Sequence, residues 1–312
     1  MVTSLLKLLE NSAKGHIFPG ASDALDVVKE GSGIEPLDVM LSGGLPRARF
    51  TLVTGNESSG KTYLAQRAMA SFQERGLSVL YVDVEQSYDA QWFAKTGVDV
   101  DNLIVVQPSS GEMAVDVTAK ALEEGVDLIV VDSLAYMMPS NVIEKDADQM
   151  TIGSLARLLS PAISRWRYNN SKSVLFVINQ VRDVIGTPFH EERYPGGKSQ
   201  RFAASLHLRV RRSGHFDENG RRAGFRMKIV VDKTKIPNVL PYDQIELIFR
   251  YDGSTDEIPT LVEQAIVKDI IKKEGAHYWI GDEKIFGKPK VESMLREDDT
   301  LRKTISELIR NA

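Results

Sequence analysis

The chain has 312 residues, of which 42% are hydrophobic and 26% are charged, and its formal net charge is −4. This composition is typical of a globular protein with one large core, and no apolar run approaches the roughly 20 residues that span a bilayer. The sequence contains no cysteine, which excludes disulfides and thiolate metal sites. We therefore expect a cytoplasmic protein without a membrane partner.

Residues 1–32 predict a short amphipathic helix followed by a linker that contains glycine and proline. Over residues 33–255, apolar runs alternate with segments of helical periodicity. The predicted strands are Phe50–Thr54, Leu77–Val82, Asp127–Val131 and Val174–Ile178, and the predicted helices are Thr62–Arg75, Met113–Glu124 and Ile152–Tyr168. Because these strands are apolar on both faces, they predict an α/β fold with a mostly parallel, twisted sheet flanked by helices.

The later strands alternate between apolar and polar residues, which predicts one exposed face and an antiparallel arrangement. They are Leu206–Val210, Arg226–Val231 and Gln244–Phe249. A turn-rich stretch follows at residues 251–259, and mixed helix and hairpin signals follow it. The pattern predicts a boundary there, with a small C-terminal α/β domain over residues 256–312.

The segment GNESSGKT fits the phosphate-loop pattern G-x-x-x-x-G-K-[ST], follows a predicted strand and opens a predicted helix. Its glycines allow backbone N–H groups to surround phosphates, and the helix N-terminus adds a positive dipole end. The predicted nucleotide-contacting residues are Gly55, Glu57, Ser58, Ser59, Gly60, Lys61 and Thr62. In this pattern Lys61 contacts the β- and γ-phosphates, and the Thr62 hydroxyl binds Mg²⁺.

Polar side chains stand at the ends of three predicted strands. Asp132 ends the run LIVVD, where it either binds the Mg²⁺ shell or caps the next turn. Glu85 follows the strand LYVD and either activates the attacking water or lies on the surface. Asn179 and Gln180 end the run VLFVIN, where they either sense the γ-phosphate or form a turn. The neighbouring phosphate loop favours the functional interpretation of Asp132.

A basic cluster lies between residues 201 and 235, where ten lysines and arginines are opposed by three acidic residues. A local excess of this size can bind phosphates even within an acidic protein. The same composition is equally compatible with a solvated basic face.

Seven blocks together resemble the bacterial RecA family of DNA recombinases. They are residues 43–62 (GGLPRARFTLVTGNESSGKT), 81–112, 126–139 (VDLIVVDSLAYMMP), 174–186 (VLFVINQVRDVIG), 195–212 (PGGKSQRFAASLHLRVRR), 233–236 (KTKI) and 274–288. The resemblance implies an ATP-dependent recombinase that forms homo-oligomeric helical filaments on single-stranded DNA. It further implies pairing and strand exchange with double-stranded DNA, coupled to DNA-stimulated hydrolysis of ATP in the presence of Mg²⁺.

The resemblance also implies three regions with separate tasks. Residues 1–32 would be an oligomerisation helix with its linker, residues 33–255 a P-loop ATPase core, and residues 256–312 a domain that gathers DNA. Two DNA-binding loops would leave the core at residues 139–153 and 182–197. Neither loop has a helix or strand pattern, and such a long irregular stretch in a compact domain is usually functional or disordered.

Residue roles follow from the matched positions. Glu85 would be the catalytic glutamate, and Asp89 and Trp92 would contact adenine. Gln180 would connect the γ-phosphate to the second DNA loop. Asp132 would hold Mg²⁺ through water.

Further roles concern the neighbouring subunit and the DNA. Lys233 and Lys235 would reach the γ-phosphate of a neighbour, so that hydrolysis requires the assembled filament. The implied DNA-binding residues are Ile152, Arg157, Arg182, Ile185, Gly196, Gly197, Arg211 and Arg212, the last two at a second site for incoming duplex.

Some positions depart from the family pattern. Asn56 replaces a usual proline, Gln86 a common histidine, and Trp92 the usual tyrosine, although any planar ring can stack on adenine. The departures indicate a divergent member and are compatible with a phage-encoded copy.

Two alternative functions stay open from the sequence. A hexameric helicase-type ATPase would share the phosphate loop and Asp132, but it is not expected to carry the KTKI block and this C-terminal domain together. A filament protein that binds ATP and DNA without exchanging strands is the second alternative. The presence of Glu85, Lys61 and Asp132 argues against it.

Overall fold

The computed structural model describes residues 25–143, 153–183 and 192–312, together with Ser22. Most of the predicted N-terminal arm, residues 1–32, lies outside the described residues. Ile152 and Ile185, two of the predicted DNA-binding residues, also lie outside them.

The described elements alternate along the chain in the order that the sequence predicts. The strands are β1 (Lys29–Glu30), β2 (Leu45–Pro46), β3 (Arg49–Gly55), β4 (Val79–Asp83), β5 (Ile104–Val106), β6 (Leu128–Asp132), β7 (Val174–Gln180), β8 (Arg182–Asp183), β9 (Glu192–Arg193), β10 (Leu206–Glu218), β11 (Arg221–Thr234), β12 (Gln244–Arg250), β13 (Thr255–Asp256), β14 (Ile271–Glu274), β15 (His277–Ile280) and β16 (Glu283–Phe286). The helices are α1 (Glu35–Met40), α2 (Lys61–Glu74), α3 (Ala90–Lys95), α4 (Gly111–Glu124), α5 (Ser140–Ile143), α6 (Ser154–Asn169), α7 (Ser199–Ala203), α8 (Ile258–Val267), α9 (Lys288–Glu297) and α10 (Asp299–Asn311).

One large mixed sheet organises the described chain, with strand order β13-β12-β11-β10-β3-β7-β6-β4-β5. The six strands from β10 to β5 in this order pair in parallel, and β11, β12 and β13 add an antiparallel edge. The phosphate-loop strand β3 therefore lies between β10 and β7, inside the sheet. This arrangement confirms the predicted α/β fold with a mostly parallel sheet.

Each face of the sheet carries its own hydrophobic core. Along β3, Val53 packs into the core that contains α1 and α2, whereas Phe50 and Leu52 pack into the core that contains α4 and α6. Successive side chains of a strand point to opposite faces. A strand that is apolar along its whole length therefore contributes side chains to both cores, as the sequence pattern predicted.

Trp166 of α6 is the largest fully buried side chain of the second core, and its Nε1–H donates to the Val115 carbonyl at 3.0 Å. Trp166→Ala would remove this packing and leave a cavity, so we expect a loss of about 3–5 kcal/mol in the free energy of unfolding. Urea denaturation followed by circular dichroism measures the loss. Tyr168→Ala on the same helix removes a side chain that is 91% exposed and should change the stability little. Equal losses in the two variants would contradict this assignment of the core.

The C-terminal residues build a third hydrophobic cluster around α8, α9 and α10 and the small antiparallel sheet β14-β15-β16. Several side-chain contacts join this region to α1, among them the ion pair between Arg302 and Glu35 at 3.1 Å. The Ser306 hydroxyl donates to the Glu35 carboxylate at 2.6 Å, and the Gln264 amide donates to the Pro36 carbonyl at 2.9 Å. The division into domains at residue 256 remains a prediction.

The two predicted DNA loops contain more regular structure than we expected. Residues 140–143 form the short helix α5, and β8 pairs with β9 in an antiparallel ladder. The helix begins where the backbone N–H and hydroxyl of Ser140 donate to the Glu112 carboxylate, at 2.9 and 2.8 Å. The sequence pattern did not predict this helix start, because the carboxylate that binds Ser140 lies on another helix. In the parts of the chain that are described, every helix is too short or too polar to cross a bilayer.

Candidate functional site

The phosphate loop joins the end of β3 to the start of α2, and two of its positions require glycine. A Cβ on Gly55 would collide with the Val210 carbonyl oxygen of β10. Gly60 has a φ of +100°, and a Cβ there would collide with Met227. Left-handed backbone of this kind strongly favours glycine. The tertiary packing thus explains both glycines of the sequence pattern.

Lys61 and Ser59 present polar groups toward the interior of the loop. The Lys61 ammonium donates to the Asn56 carbonyl at 2.8 Å, and its side chain is largely buried. Burial lowers the Lys61 pKa, while nearby carboxylates, including that of Glu57, oppose the shift. The Ser59 hydroxyl is buried and has no hydrogen-bond partner among the described residues. A buried hydroxyl of this kind can donate to a ligand oxygen, and the loop fits a phosphate.

Thr62 and Asp132 meet beside the loop. The Thr62 hydroxyl donates to Asp132 Oδ2 at 2.7 Å, and the Tyr81 hydroxyl lies 3.3 Å from the same oxygen. Burial raises the Asp132 pKa to about 7. A bound divalent cation would favour the ionised carboxylate, and hydroxyl and carboxylate oxygens are ligands that Mg²⁺ accepts. The residues present therefore fit a magnesium ion.

Glu85 lies next to Asp132 because β4 and β6 are neighbours, with Asp83 opposite Asp132. The Glu85 backbone N–H donates to the Asp132 carbonyl at 3.2 Å, and the Ser133 hydroxyl donates to the Glu85 carboxylate at 2.6 Å. Ser133 was not predicted as a site residue, although its position directly after Asp132 was a usable signal. Tyr81 was not predicted either, because its hydroxyl lies within an apolar run of the sequence.

Asn179 and Gln180 take different positions at the end of β7. Gln180 pairs with Gly55, so it lies directly beside the start of the phosphate loop. The Asn179 amide donates to the Pro195 carbonyl at 3.0 Å and to Gln200 Oε1 at 2.6 Å. Asn179 therefore connects the sheet to the end of the second predicted DNA loop, a link that the sequence analysis did not assign.

Asp89 and Trp92 lie on α3, which follows β4. Asp89 Oδ1 accepts a hydrogen bond from the Trp92 backbone N–H at 2.7 Å and so caps the helix. The Trp92 ring is half-buried against the core on that side of the sheet. Asp89 therefore caps α3 in addition to its predicted role of contacting the nucleotide.

Lys233 and Lys235 lie at the end of β11, two strands away from the phosphate-loop strand β3. Leu206 of β10 pairs with Thr51 of β3 on one side and with Thr234 of β11 on the other. Lys233 pairs with His207, which lies opposite Leu52 in the middle of β3. The Lys235 N–H donates to the Ser205 carbonyl near the beginning of β3, whereas the phosphate loop leaves the end of that strand. The structure separates these residues from Lys61, which the sequence alone could not establish.

The ends of the two predicted DNA loops converge on the first turns of α6. Gly196 and Gly197 have φ values of +79° and +80°, and a Cβ on Gly197 would lie 3.6 Å from the Ala156 methyl group. Arg157, the next residue along the helix, is exposed. For Arg182 only the backbone is described, in β8.

Arg211 and Arg212 lie on the hairpin of β10 and β11 and are exposed. The Arg212 guanidinium lies over the Phe225 ring at 4.1 Å and donates to the Tyr251 hydroxyl at 3.2 Å. Arg212 thus packs on the face of the sheet that carries α2, whereas the loop ends pack on α6 at the other face.

Comparison with known proteins agrees with this geometry. The family model described as the RecA N-terminal domain matches residues 2–254. The chain is 34% identical to Protein RecA of Aquifex aeolicus (strain VF5), over 99% of this chain and 91% of the relative. It is 36% identical to Protein RecA of Chlorobaculum parvum, over 96% of this chain and 88% of the relative. A phosphate loop, its strand-end carboxylates and a match along nearly the whole chain lead to one conclusion: this protein belongs to the RecA family.

Proposed function

We propose that this chain is an ATP-dependent DNA recombinase, which forms helical filaments on single-stranded DNA and exchanges strands with a homologous duplex. The observation that carries the proposal is the grouping of Lys61, Asp132 and Glu85 where the parallel strands of the sheet end. This grouping occurs in a chain that matches RecA proteins along almost its full length. Because the substrate of a recombinase is chromosomal DNA, a cytoplasmic location accompanies the proposal.

The residues of the site divide the work of ATP hydrolysis. Lys61 and the loop N–H groups bind the phosphates and stabilise the charge that develops during transfer. Glu85, oriented by the Ser133 hydroxyl, accepts the proton of the attacking water. Thr62 and, through water, Asp132 would hold Mg²⁺, which supplies charge neutralisation at the phosphates. Asp89 and Trp92 would contact the adenine.

Completion of the site requires a second subunit. Lys233 and Lys235 lie at the end of β11, two strands away from β3, and the Lys233 ammonium is bound by the carbonyl oxygens of Arg201 and Phe202. This placement supports a role in which both lysines act on the triphosphate of a neighbouring subunit, as arginine fingers do. Head-to-tail contacts of this kind generate an open helical filament when the rotation between subunits does not close into a ring.

The same site communicates with DNA through β7. Gln180 lies beside Gly55 at the start of the phosphate loop, and Asn179 holds Pro195 and Gln200 at the end of the second DNA loop. We infer that the γ-phosphate stabilises this connection and orders both loops around single-stranded DNA. Hydrolysis then removes that contact and releases the strand.

Single-stranded and double-stranded DNA would bind at different surfaces. Arg157, Arg182, Gly196 and Gly197, with Ile152 and Ile185 from the undescribed segments, would contact the single strand. The hairpin residues Arg211 and Arg212 would contact the incoming duplex. Base pairing would read the sequence, so we expect protein contacts mainly to the backbone.

Turnover and assembly measurements test the proposed function. We expect single-stranded DNA to stimulate ATP hydrolysis strongly, and electron micrographs with a non-hydrolysable nucleotide to show helical filaments. A closed hexamer that unwinds forks would support the helicase alternative instead. Filaments that fail to exchange strands between homologous substrates would support the non-recombinogenic alternative.

Trp92 offers a test of the adenine contact. Stacking between a base and an aromatic ring is worth about 1–3 kcal/mol, so we expect Trp92→Ala to raise the Kd for ATP roughly 5- to 100-fold. Trp92→Tyr retains a planar ring and should keep most of the affinity. Trp279→Ala, in β15, is the matched control and should leave the affinity unchanged. An unchanged Kd in Trp92→Ala would remove this residue from the nucleotide site.

A further inference from the structure

A β-bulge interrupts the pairing of β10 and β11 beside the lysine pair. Leu208 pairs with Val231, but the preceding residue of β10, His207, pairs with Lys233. Asp232 is therefore the extra residue of the bulge. Bulges of this kind change the direction of nearby side chains and are frequent next to functional sites.

The bulge determines the face of the sheet to which Lys233 points. In regular pairing, Asp232 and Lys233 would point to opposite faces. Here both point to the face that carries α7. Asp232 contacts His207, and the Lys233 ammonium donates to the carbonyl oxygens of Arg201 and Phe202 at 2.6 and 3.1 Å.

Asp232 is anchored by three cationic or polar side chains. Its Oδ1 accepts from the Arg209 guanidinium at 2.7 Å, and its Oδ2 lies 3.2 Å from Arg201 and 3.0 Å from His207 Nδ1. The contact with His207 and the two guanidiniums hold the Asp232 pKa at about 2, despite partial burial. The carboxylate is therefore ionised at every pH at which the protein is assayed.

His207 joins this anchor to the phosphate-loop strand. Its ring is fully buried, and Nε2 lies 2.8 Å from the Thr54 hydroxyl of β3. Burial lowers the His207 pKa, so the neutral ring is expected at neutral pH. Thr54 directly precedes the first glycine of the phosphate loop.

We propose that Asp232, held by His207 and Arg209, is a positioning residue that aims Lys233 at the nucleotide of the neighbouring subunit. The inference rests on the proposed function, because it requires Lys233 to act in trans. It assigns to Asp232 no contact with nucleotide or DNA. Its effect is to maintain the bulge and thereby the direction of the lysine.

Asp232→Asn preserves the side-chain shape and removes the charge that anchors the bulge. A reacting group displaced by about 1 Å can cost roughly 100-fold in rate, so we expect DNA-stimulated kcat to fall about 10- to 100-fold. Binding of a fluorescent ATP analogue to the variant should stay within about twofold of wild type, because Lys61 and Thr62 are intact.

Mixed filaments distinguish positioning from a general loss of stability. In an equimolar mixture of Asp232→Asn and Glu85→Gln, the ATP site of an Asp232→Asn subunit keeps its own Glu85. When the neighbour is a Glu85→Gln subunit, that site also receives a correctly directed Lys233. Random mixing makes about a quarter of the interfaces productive, so turnover should rise toward about a quarter of wild type. Each variant alone should stay far below that value.

Controls separate this inference from the proposed function. Lys233→Ala mixed with Glu85→Gln tests whether the lysine acts in trans. Asp217→Asn removes the same charge from an exposed ion pair with Arg222 on the same hairpin, and it should leave turnover unchanged.

The outcomes are decisive in both directions. Rescue of both Lys233→Ala and Asp232→Asn supports the inference. Rescue of Lys233→Ala alone, or unimpaired turnover in Asp232→Asn, overturns the role of Asp232 and leaves the proposed function intact. Failure to rescue Lys233→Ala overturns the trans role and the inference with it. If Asp232→Asn does not fold, His207→Gln, which weakens the same anchor, replaces it, and the same outcomes apply.

Discussion

Replacing Lys61 with alanine is expected to lower DNA-stimulated ATP turnover by at least about 100- to 1,000-fold, the effect of losing one donor to a developing oxyanion. The Lys61 ammonium is buried in the phosphate loop, where carboxylates from Asp132, Glu85 and Glu57 surround it. Without the Lys61 ammonium, the negatively charged triphosphate would lie beside these carboxylates with no lysine charge to balance the repulsion. A coupled assay of ADP release, with and without single-stranded DNA, measures the loss.

Lys120→Ala is the matched control for this change. Lys120 is an exposed lysine of α4 that pairs with Glu124 at 2.8 Å, so its removal takes away the same charge from the surface. Its turnover should equal that of wild type. Turnover within a few-fold of wild type in Lys61→Ala would remove the phosphate role from this lysine.

Glu85→Gln is expected to separate hydrolysis from DNA binding. The glutamine retains the shape of the side chain and can still accept the Ser133 hydrogen bond, but it cannot take a proton from water. A general base contributes typically 10²- to 10⁴-fold, so kcat should fall by about that factor. ATP-dependent binding of a fluorescent single-stranded oligonucleotide should persist and dissociate more slowly.

Glu74→Gln, at the exposed end of α2, is the control and should behave as wild type in both assays. If Glu85→Gln loses ATP binding and DNA binding together, the residue maintains the structure and is not the base. If its hydrolysis continues, another group activates the water.

The elements predicted from sequence were those whose pattern lies within a short stretch of chain. The run LIVVD is apolar on both faces, and the structure places it as β6 in the middle of the parallel sheet. The glycines of GNESSGKT allow a specific backbone path and its lysine contacts phosphate, so the segment could be identified as a phosphate loop from the sequence alone. Predicted boundaries differ most where charged residues interrupt a strand: β10 was predicted to end at Val210 but continues to Glu218, past Arg211 and Arg212.

Other predictions failed or stayed untested for identifiable reasons. The first DNA loop was predicted to be irregular, yet α5 forms there because Ser140 finds Glu112 on α4. Likewise, β8 pairs with β9 across residues that carry no strand pattern. The predicted roles of Ile152 and Ile185 fall outside the described residues. They remain predictions.

By itself, the sequence determined the α/β class, the phosphate loop and the carboxylates at the strand ends, because each depends on residues that are close along the chain. Only the tertiary structure decided that Glu85 lies against Asp132, that the lysine pair lies two strands away from β3, and that a bulge at Asp232 sets the face to which Lys233 points. These features depend on strand order and register. Both are set by contacts between residues far apart in sequence, which local periodicity does not encode.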